Sequence, residues 1–471
     1  MNVAADSAAR EAARDPSTEL SRFALDLRRE DIPEAVLSRA AHHVLDAVGI
    51  AFASSRYDFA HRTLTGLRGL SGEGAVPVIG LPDQLPPRDA AVMNGLLCHG
   101  LDFDDTHLDS VVHPTACAFP AALSAGVLAS ASGEAVLLAY IVGVEAATRI
   151  GAAARGGFHA VGFHPTGVAN AFGAALTAGR LLGCTARELR SAQGITVSLA
   201  SGTLEFLEDG AWNKRLHPGW AASAGITAAA LARQGFAGTG KPYMGRFGLY
   251  RTHLGPNAEV VDPTALMAGL GERWEIARTS IKPFPACHFA HACIDAALVL
   301  HAQGLRAEAV DSVLALVPRE VVPTVCEPAE QKRRPAGAYE AQFSIPFLVA
   351  AALVRGRMTL AELEAEALND PVILALAARV SYAVDPDSPF PRSYSGEIRV
   401  RARDGREWIQ REAVNRGAPD RLLEDAEIVA KFRANAALCL NDAAAARIED
   451  AVLGLVRAGD LRDLCRALSP S

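Results

Sequence analysis

Two neighbouring segments of small apolar residues constrain the fold of this chain more than any other feature. Residues 114–131 and 134–154 consist largely of Ala, Gly, Ser, Val and Leu, and a short Ser-Gly turn separates them. Side chains this small let helix backbones approach closely, and aromatic residues make up only 6% of the chain, which leaves little bulk for a sheet-rich core. The pattern predicts closely packed, deeply buried helices.

The spacing of apolar residues predicts further helices through the first half of the chain. A helix that begins at Pro33 carries apolar residues every three or four positions up to Ala51, and two others are predicted over residues 88–101 and 217–234. Thr185 and Glu188 have the spacing of a capping box, which predicts another helix start. This part of the chain is therefore expected to be helical throughout.

The pattern changes after about residue 275. Residues 313–317 form a short apolar run typical of a buried strand, and residues 398–402 alternate apolar side chains with arginine. Asp404-Gly405 then predicts a hairpin turn, after which the chain returns through residues 407–412. The predicted helices in and after this part are residues 289–303, 339–355, 359–378, 426–440 and 442–458.

These patterns together predict a mainly α fold with a large all-helical domain and an inserted smaller α+β lid domain. Residues 1–275 form the first part of the helical domain in this prediction, residues 276–414 form the lid, and residues 415–471 return to the helical domain.

Charge and composition exclude several classes of partner. The net charge is −7 and no run of Lys or Arg could follow a phosphate backbone, which argues against nucleic acid. No stretch of about 18 apolar residues is free of polar breaks, and the polar leader of residues 1–17 lacks the apolar core of a signal peptide. The eight cysteines contain no CxxC pair. We expect a cytoplasmic protein with reduced thiols and no membrane partner.

The most polar candidate site is the segment of residues 99–114. Four carboxylates crowd eight positions, and their neighbours include His107; the carboxylates are Asp102, Asp104, Asp105 and Asp109. Carboxylates this close repel one another unless a cation, a helix N-terminus or hydrogen bonds stabilise them. The alternative is a capping loop in which these side chains satisfy backbone N–H groups.

Three further segments place His or Lys where a helix is predicted to begin. Residues 157–167 hold His164, residues 212–221 hold Lys214, Arg215 and His217, and each group precedes a predicted proline-started helix whose N-terminus favours an anion. The alternatives are a structural histidine and a solvated turn.

The last of these segments, residues 281–292, holds Lys282 on an apolar, proline-rich turn that suits the binding of a carboxylate. A surface lysine is the alternative. A metal site made of Cys287, His288 and His291 is not favoured, because no second ligand pair has suitable spacing. Together the four segments predict a pocket for a di- or tricarboxylate with an acid/base group that works near neutral pH.

The residues of these four segments resemble the MmgE/PrpD family, which includes 2-methylcitrate dehydratase, cis-aconitate decarboxylase and iminodisuccinate epimerase. The matching stretches, in family order, are NGLLCHGLDFDDTHLDSVVHPTA, GFHAVGFHPTG, EDGAWNKRLHPGWAA and IKPFPACHFAHACIDAA. The resemblance implies an all-helical domain with a smaller α+β lid, a homodimer, and catalysis without a metal or an organic cofactor on a small polycarboxylate substrate.

The resemblance to the decarboxylase branch also implies roles for individual residues. Its Asp, Thr and His correspond to Asp102, Thr106 and His113, with one additional residue between the last two, and a further His corresponds to His164. Its two lysines correspond to Lys214 and Lys282. The predicted catalytic residues are Asp102, Thr106, His113 and His164, and the predicted substrate-binding residues are Lys214, His217, Lys282, Cys287 and His288.

Two positions depart from the decarboxylase branch. A histidine five residues after the second lysine corresponds to Cys287 here, with His288 adjacent, and a tyrosine on the lid helix corresponds to Phe347. These departures favour a hydro-lyase similar to 2-methylcitrate dehydratase, in which a histidine serves as general acid or base and lysines hold carboxylates. Decarboxylation and epimerisation are the alternatives within the family.

Two hypotheses of other classes also fit part of the sequence. Asp104, Asp105 and Asp109 have the DDxxxD spacing of a magnesium motif in isoprenoid synthases, but Ala445 replaces a ligand in the corresponding second motif. The second hypothesis is that the chain is a family member that has lost activity and serves as a binding protein. Proton exchange from citrate-like acids distinguishes an enzyme from that last class.

Overall fold

The computed structural model describes residues 15–469, so most of the predicted polar leader lies outside the described residues. The chain divides into two compact units. The helical unit is Met1–Ser280 with Glu424–Ser471, and the mixed unit is Ile281–Leu423. The boundaries lie a few residues after the changes of pattern in the sequence, and the mainly α fold is confirmed.

Twelve α-helices form the first part of the described helical unit. They are α1 Pro16–Asp26, α2 Glu34–Ser54, α3 Asp58–Ser71, α4 Pro87–His99, α5 Thr115–Ala129, α6 Gly133–Ala153, α7 Gly157–Ala160, α8 Pro165–Leu181, α9 Ala186–Thr196, α10 Phe206–Asp209, α11 Asn213–Arg233 and α12 Leu249–Leu254. Two short antiparallel strands, β1 Val76–Pro77 and β2 Gln84–Leu85, lie between α3 and α4.

The mixed unit combines one four-stranded sheet with short helices. Its helices are α13 His291–Ala302, α14 Val322–Val325, α15 Ala329–Arg333, α16 Ala338–Ala341, α17 Ile345–Arg355, α18 Ala365–Leu368 and α19 Pro371–Ala377. Its strands are β3 Val310–Val317, β4 Val380–Val384, β5 Gly396–Ala402 and β6 Glu407–Glu412, in the order β4-β3-β5-β6. The first pair is parallel and the other two are antiparallel.

Three helices of the helical unit follow the mixed unit in the chain, namely α20 Asp425–Ala436, α21 Asp442–Leu453 and α22 Arg462–Leu468. Helix α20 packs on α2, where Lys431 pairs with the buried carboxylate of Asp46 at 2.7 Å.

Small residues set the spacing of the core helices, as the sequence predicts. A Cβ atom added to Gly95 on α4 would lie 2.4 Å from the Cα atom of Gly219 on α11, and one added to Gly173 on α8 would lie 2.4 Å from the carbonyl oxygen of Gly143 on α6. Neither crossing has room for a side chain, so glycine is required at both. Helices α5 and α6 are buried along most of their length.

Local signals in the sequence correctly identify several element ends. The Thr185 hydroxyl accepts from the Glu188 amide at 3.3 Å, and the Glu188 carboxylate accepts from the Thr185 amide at 2.7 Å, which completes the predicted capping box. The hairpin between β5 and β6 also forms, with Gly405 in the left-handed region at φ 88°.

Three helix predictions are wrong in their bounds. Helix α11 begins at Asn213 rather than after His217, so Lys214, Arg215 and His217 lie in its first two turns and Pro218 lies inside it. The predicted helix over residues 339–355 breaks before α17, where the Ser344 hydroxyl caps the Phe347 amide at 3.1 Å.

The predicted helix over residues 359–378 is replaced by a 3₁₀ turn, Leu360–Leu363, followed by α18 and α19. Asp370 accepts from the Val372 amide at 2.8 Å, and Pro371 occupies the first helical position of α19. A capped helix start therefore interrupts an apolar spacing that looks continuous in the sequence.

Helix α6 is long and apolar enough to cross a membrane by length and composition alone. However, 89% of its most apolar window is buried in the protein. It also carries Arg149, which is 1% exposed and donates to the carbonyl oxygens of Ala268 and Arg273, each at 2.6 Å. These features are typical of a core helix.

Candidate active site

The segment between α4 and α5 folds into a compact loop whose acidic side chains are mostly buried. Thr106 and Ser280 exchange backbone hydrogen bonds of 2.8 and 2.9 Å, and His107 pairs with Val112 in the same way. Asp102 and Val111 adopt left-handed backbone conformations, with φ of 51° and 55°. A β-branched residue rarely adopts this conformation, so the loop contains local strain that its surroundings must hold in place.

Each of the four crowded carboxylates has a different partner, which resolves their mutual repulsion. Asp102 accepts from the Lys214 ammonium at 2.8 Å, and Asp104 lies 2.7 Å from Nδ1 of His99. Asp105 caps α5 by accepting from the Thr115 amide at 3.2 Å. The fourth, Asp109, is 63% exposed and pairs with Arg278.

Because the carboxylates have separate partners, the structure argues against the magnesium site that the DDxxxD spacing suggested. Asp109 lies on the surface, while Asp105 is buried and binds Thr115 and Nδ1 of His43. The carboxylates of Asp104 and Asp105 are engaged by different histidines. A magnesium-diphosphate site needs carboxylates that converge on one ion, and these do not.

The protonation of His113 follows from its neighbours. Its Nδ1 atom lies 2.8 Å from the carbonyl oxygen of Asp105 and 3.3 Å from the Thr106 hydroxyl. A carbonyl oxygen accepts and never donates, so Nδ1 carries the hydrogen and Nε2 of the neutral ring carries the lone pair. The backbone of His113 is also fixed, because its amide donates to Thr166 Oγ1 at 3.1 Å and its carbonyl accepts from Asn170 Nδ2 at 2.9 Å.

His164 and His217 form a second pair of histidines. His164 is the N-cap residue of α8, His217 lies on α11, and their Nδ1 atoms are 2.9 Å apart. One Nδ1 must therefore donate to the other. Burial, followed by the nearby positive charges of other histidines and Lys214, lowers the pKa of His164 well below its usual value. Burial also lowers the pKa of His217 to about 4. Both rings are therefore neutral at pH 7.

Lys214 supplies the cation of this cluster. It lies on the first turn of α11, and its side chain is 15% exposed beside the 7% exposed side chain of Asp102. The adjacent Arg215 donates to the Gly100 carbonyl at 2.8 Å, which ties α11 to the loop after α4. Its ammonium group therefore places a positive charge beside the histidines, and a positive charge attracts a substrate carboxylate.

The sequence-based prediction missed His99 as a member of the cluster. Its ring is 1% exposed and lies 4.7 Å from the His113 ring and 5.8 Å from the His164 ring, between centroids. The signal in the sequence was its position at the start of the same polar segment. Asp104, which is not among the predicted catalytic residues, lies 3.5 Å from Nδ1 of His113 and thus contacts both rings.

The structure brings six predicted site residues into the helical unit and the other three into the mixed unit. The first group is Asp102, Thr106, His113, His164, Lys214 and His217, and the second is Lys282, Cys287 and His288. Within the mixed unit, Lys282 is 2% exposed and the Cys287 amide donates to the Gln342 carbonyl at 2.8 Å. Asn415 Nδ2 donates to Nε2 of His288 at 2.7 Å.

Phe347, the second departure from the decarboxylase branch, lies in the first turn of α17 and is completely buried. A ring cluster of the mixed unit includes His288, His291 and Tyr394, with the centroid of the His288 ring 4.8 and 5.4 Å from those of the other two.

A separate cavity of about 740 Å³ lies in the helical unit between α9, the end of α11 and the segment that follows α11. Its lining is mostly apolar, with Lys241 and Arg246 as its charged residues, and it contains no histidine or carboxylate. It offers no acid/base group. The histidine cluster, in contrast, combines several imidazoles with a lysine, which suits proton transfer next to a bound carboxylate.

Comparison with known proteins covers nearly the whole chain. Residues 18–260 match the family model described as the MmgE/PrpD N-terminal domain, and residues 284–455 match the MmgE/PrpD C-terminal domain. A cis-aconitate decarboxylase of Homo sapiens is 29% identical over 425 residues, which cover 87% of this chain and 85% of the relative.

Two fungal relatives align over still more of their length. A cis-aconitate decarboxylase of Aspergillus terreus is 27% identical, with 96% of each chain covered. A cis-aconitate decarboxylase-like protein of Aspergillus oryzae is 26% identical, with 96% of this chain and 97% of the relative covered.

Proposed function

The chain belongs to the MmgE/PrpD family, and from this premise we propose that it is a lyase that acts on a small di- or tricarboxylate. The observation that carries the proposal is the set of hydrogen bonds around the His113 ring. Its Nδ1 atom is held by the Asp105 carbonyl and the Thr106 hydroxyl, which directs the lone pair of Nε2 away from the backbone.

Within this class, decarboxylation of an acid similar to cis-aconitate is the first candidate. The curated relatives carry this activity in their names and align over 85% or more of their length. When the C–C bond to a carboxylate breaks, CO₂ leaves and the electron pair stays on carbon, next to the remaining carboxylates. Protonated His113 then delivers a proton from Nε2 to that carbon and regains one from water.

The positive charge of Lys214 supports this step. An ammonium group beside the remaining carboxylates stabilises the negative charge that develops as CO₂ leaves. Asp102 is a positioning residue in this proposal, because its 2.8 Å contact holds the Lys214 side chain. Lys282 is proposed as a second carboxylate anchor from its position in the family motif.

Dehydration of an acid similar to 2-methylcitrate is the second candidate. Cys287 and Phe347 stand where the decarboxylase branch has His and Tyr, and this difference favours another reaction of the family. In dehydration, neutral Nε2 of His113 removes a proton from the carbon next to a carboxylate. The hydroxyl on the neighbouring carbon then takes the proton that His113 has accepted and leaves as water.

A product assay separates these candidates. The purified full chain is incubated with cis-aconitate, 2-methylcitrate and citrate, and the products are followed by NMR. Release of CO₂ with one carbon fewer in the product identifies a decarboxylase, whereas a new C=C bond with no carbon lost identifies a dehydratase. A chain that converts none of the acids and exchanges no proton in D₂O would instead be the inactive binding protein, and the proposal would fail.

The homodimer implied by the family resemblance and the cytoplasmic location expected from the composition remain predictions. Sedimentation of the full chain at several concentrations tests the first. A dimer should persist at the concentrations used for the activity assay.

A further inference from the structure

Three histidines of the helical unit converge without being close in sequence. His99 ends α4, His113 precedes α5 and His164 caps α8, and each side chain is buried. One ring nitrogen from each lies within 4.8 Å of one from each of the others. Such a triad is the ligand set of an open zinc site, in which three imidazoles leave a fourth position for water or substrate.

The hydrogen bonds behind the three rings match those of a metal site. Nδ1 of His99 donates to Asp104 at 2.7 Å, and Nδ1 of His113 donates to the Asp105 carbonyl at 2.8 Å. Nδ1 of His164 is engaged by His217 at 2.9 Å. A histidine that binds a metal through one nitrogen usually donates its other N–H to a carboxylate, a carbonyl or a similar acceptor.

Of the three rings, His99 shows most directly a nitrogen that a ligand would satisfy. Nε2 of His99 makes no hydrogen bond within the described residues, although the ring is almost completely buried. A buried ring nitrogen with a lone pair and no donor to pair with is costly unless a ligand or water meets it.

The local charge also favours a cation. The Asp104 carboxylate lies against His99 and His113, while the positive charge of Lys214 is balanced by Asp102 at 2.8 Å. The two carboxylates and the one ammonium group therefore add one net negative charge beside the three rings.

We propose that His99, His113 and His164 bind a divalent transition-metal ion of the Zn²⁺ class through Nε2, and that the bound ion inhibits the enzyme. The inhibitory part rests on the proposed function, because it requires His113 to be the proton carrier. A ring nitrogen that coordinates a metal has no lone pair left for proton transfer. Three imidazoles select Zn²⁺, Co²⁺, Ni²⁺ or Cu²⁺ over Mg²⁺ and Ca²⁺, which prefer oxygen ligands.

The site needs only small movements to reach ligand geometry. Zinc–nitrogen bonds of about 2.0–2.1 Å in a tetrahedral site place the nitrogens about 3.3 Å apart. One nitrogen from each ring lies within 4.8 Å of one from each of the others, so ligation requires these nitrogens to approach by up to about 1.5 Å.

Binding is tested with Co²⁺, whose visible absorption reports tetrahedral coordination and does not depend on activity. The full chain is titrated with Co²⁺, and Zn²⁺ is then added to displace it. The wild type should develop the absorption with one ion per chain. His99→Ala should weaken binding at least 100-fold, and Asp104→Asn should weaken it about 10- to 100-fold by removing the acceptor behind His99. His61→Ala, which removes an exposed histidine on α3, is the matched control and should bind like the wild type.

The absence of tetrahedral absorption in the wild type overturns the proposal, as does its retention at full strength in both His99→Ala and Asp104→Asn. Inhibition is measured separately, by adding Zn²⁺ to the product assay and reversing it with a chelator. Activity that saturating Zn²⁺ leaves unchanged overturns the inhibitory part. A chain that binds Co²⁺ as described but converts no acid would retain the metal site and refute only the proposed lyase function.

Discussion

The helical unit and the mixed unit each contribute a histidine-bearing segment to the predicted site, but the two segments differ in how they relate to the decarboxylase branch. In the helical unit, all of the matching positions are occupied by the expected residue types, and His113 and His164 lie in one buried cluster with His99. Both departures, Cys287 and Phe347, fall in the mixed unit. From this contrast we predict that the helical unit carries the proton transfer and that the mixed unit determines which reaction is favoured.

The largest expected effect comes from His113, because the proposed function assigns proton transfer to this residue of the helical unit. His113→Gln should lower kcat by about 10³-fold, within the 10²- to 10⁴-fold range of general acid-base groups. His61→Gln, on the exposed surface of the same unit, should leave kcat unchanged. Steady-state kinetics on the substrate found in the product assay measure both. Equal losses of kcat in His113→Gln and His61→Gln would contradict the assignment of proton transfer to His113.

A smaller loss is expected from Lys282 in the mixed unit. Lys282→Ala should lower kcat/KM by about 100-fold or more, because a carboxylate that develops charge loses an ammonium partner. Circular dichroism and the melting temperature should stay close to those of the wild type. Lys241→Ala, which removes an exposed lysine beside the apolar cavity, is the matched control. Full activity of Lys282→Ala would show that Lys282 of the mixed unit does not contribute to substrate binding.

Acid should destabilise the helical unit through its neutral histidines. The pKa of His217 is about 4 in the folded chain and close to 6.5 in the unfolded chain, so the unfolded chain binds more protons between these values. Stability therefore falls as the pH falls below 6.5. Between pH 7 and pH 5 His217 alone should account for a loss of about 2 kcal/mol in the free energy of unfolding.

Denaturant unfolding at both pH values measures this loss. His217→Gln should be less sensitive to acid than the wild type, and His61→Gln should not differ from it. Equal acid sensitivity in all three proteins would show that the His164–His217 pair does not stay neutral in the folded chain.

The smallest expected effect tests the two departures directly. Cys287→His combined with Phe347→Tyr should raise the ratio of decarboxylation to dehydration about tenfold, the size of effect that one or two altered pocket contacts have on selectivity. Cys287→Ser changes the thiol without adding an imidazole and should leave the ratio unchanged. If that variant shifts the ratio as far as the double variant does, loss of the thiol explains the effect and the assignment of selectivity to the two departures is wrong.

Much of the fold was predictable because its causes are local. Small residues at helix crossings, such as Gly95 and Gly219, are visible in the composition, and the capping box at Thr185 is visible in the spacing. The break before Pro371 was missed because the apolar spacing continues across it. The start of α11 before Pro218 was missed because proline favours the first position of a helix and is disfavoured farther inside, where α11 nevertheless holds it.

The candidate site was predictable only as a set of segments. The sequence indicates which loops carry His and Lys, but His99 joins His113 only because the left-handed turn at Asp102 brings Asp104 back against both rings. The position of the proton on His113 depends on a backbone carbonyl, that of Asp105, which no residue type encodes. Contacts between distant segments therefore decided what spacing alone left open.

The central claim is that His113 of the helical unit transfers a proton to or from a bound polycarboxylate, and one measurement in D₂O tests it most directly. Wild type and His113→Gln are saturated with the same acid, with binding checked by the rise in melting temperature, and solvent deuterium in the recovered acids is counted by NMR. With the wild type, deuterium should appear at the carbon that loses CO₂ or at the exchanged C–H. With the variant, almost no deuterium should appear in the acids, although the variant binds the same acid. Equal incorporation by both proteins, or none by a wild type that binds the acid, would contradict it.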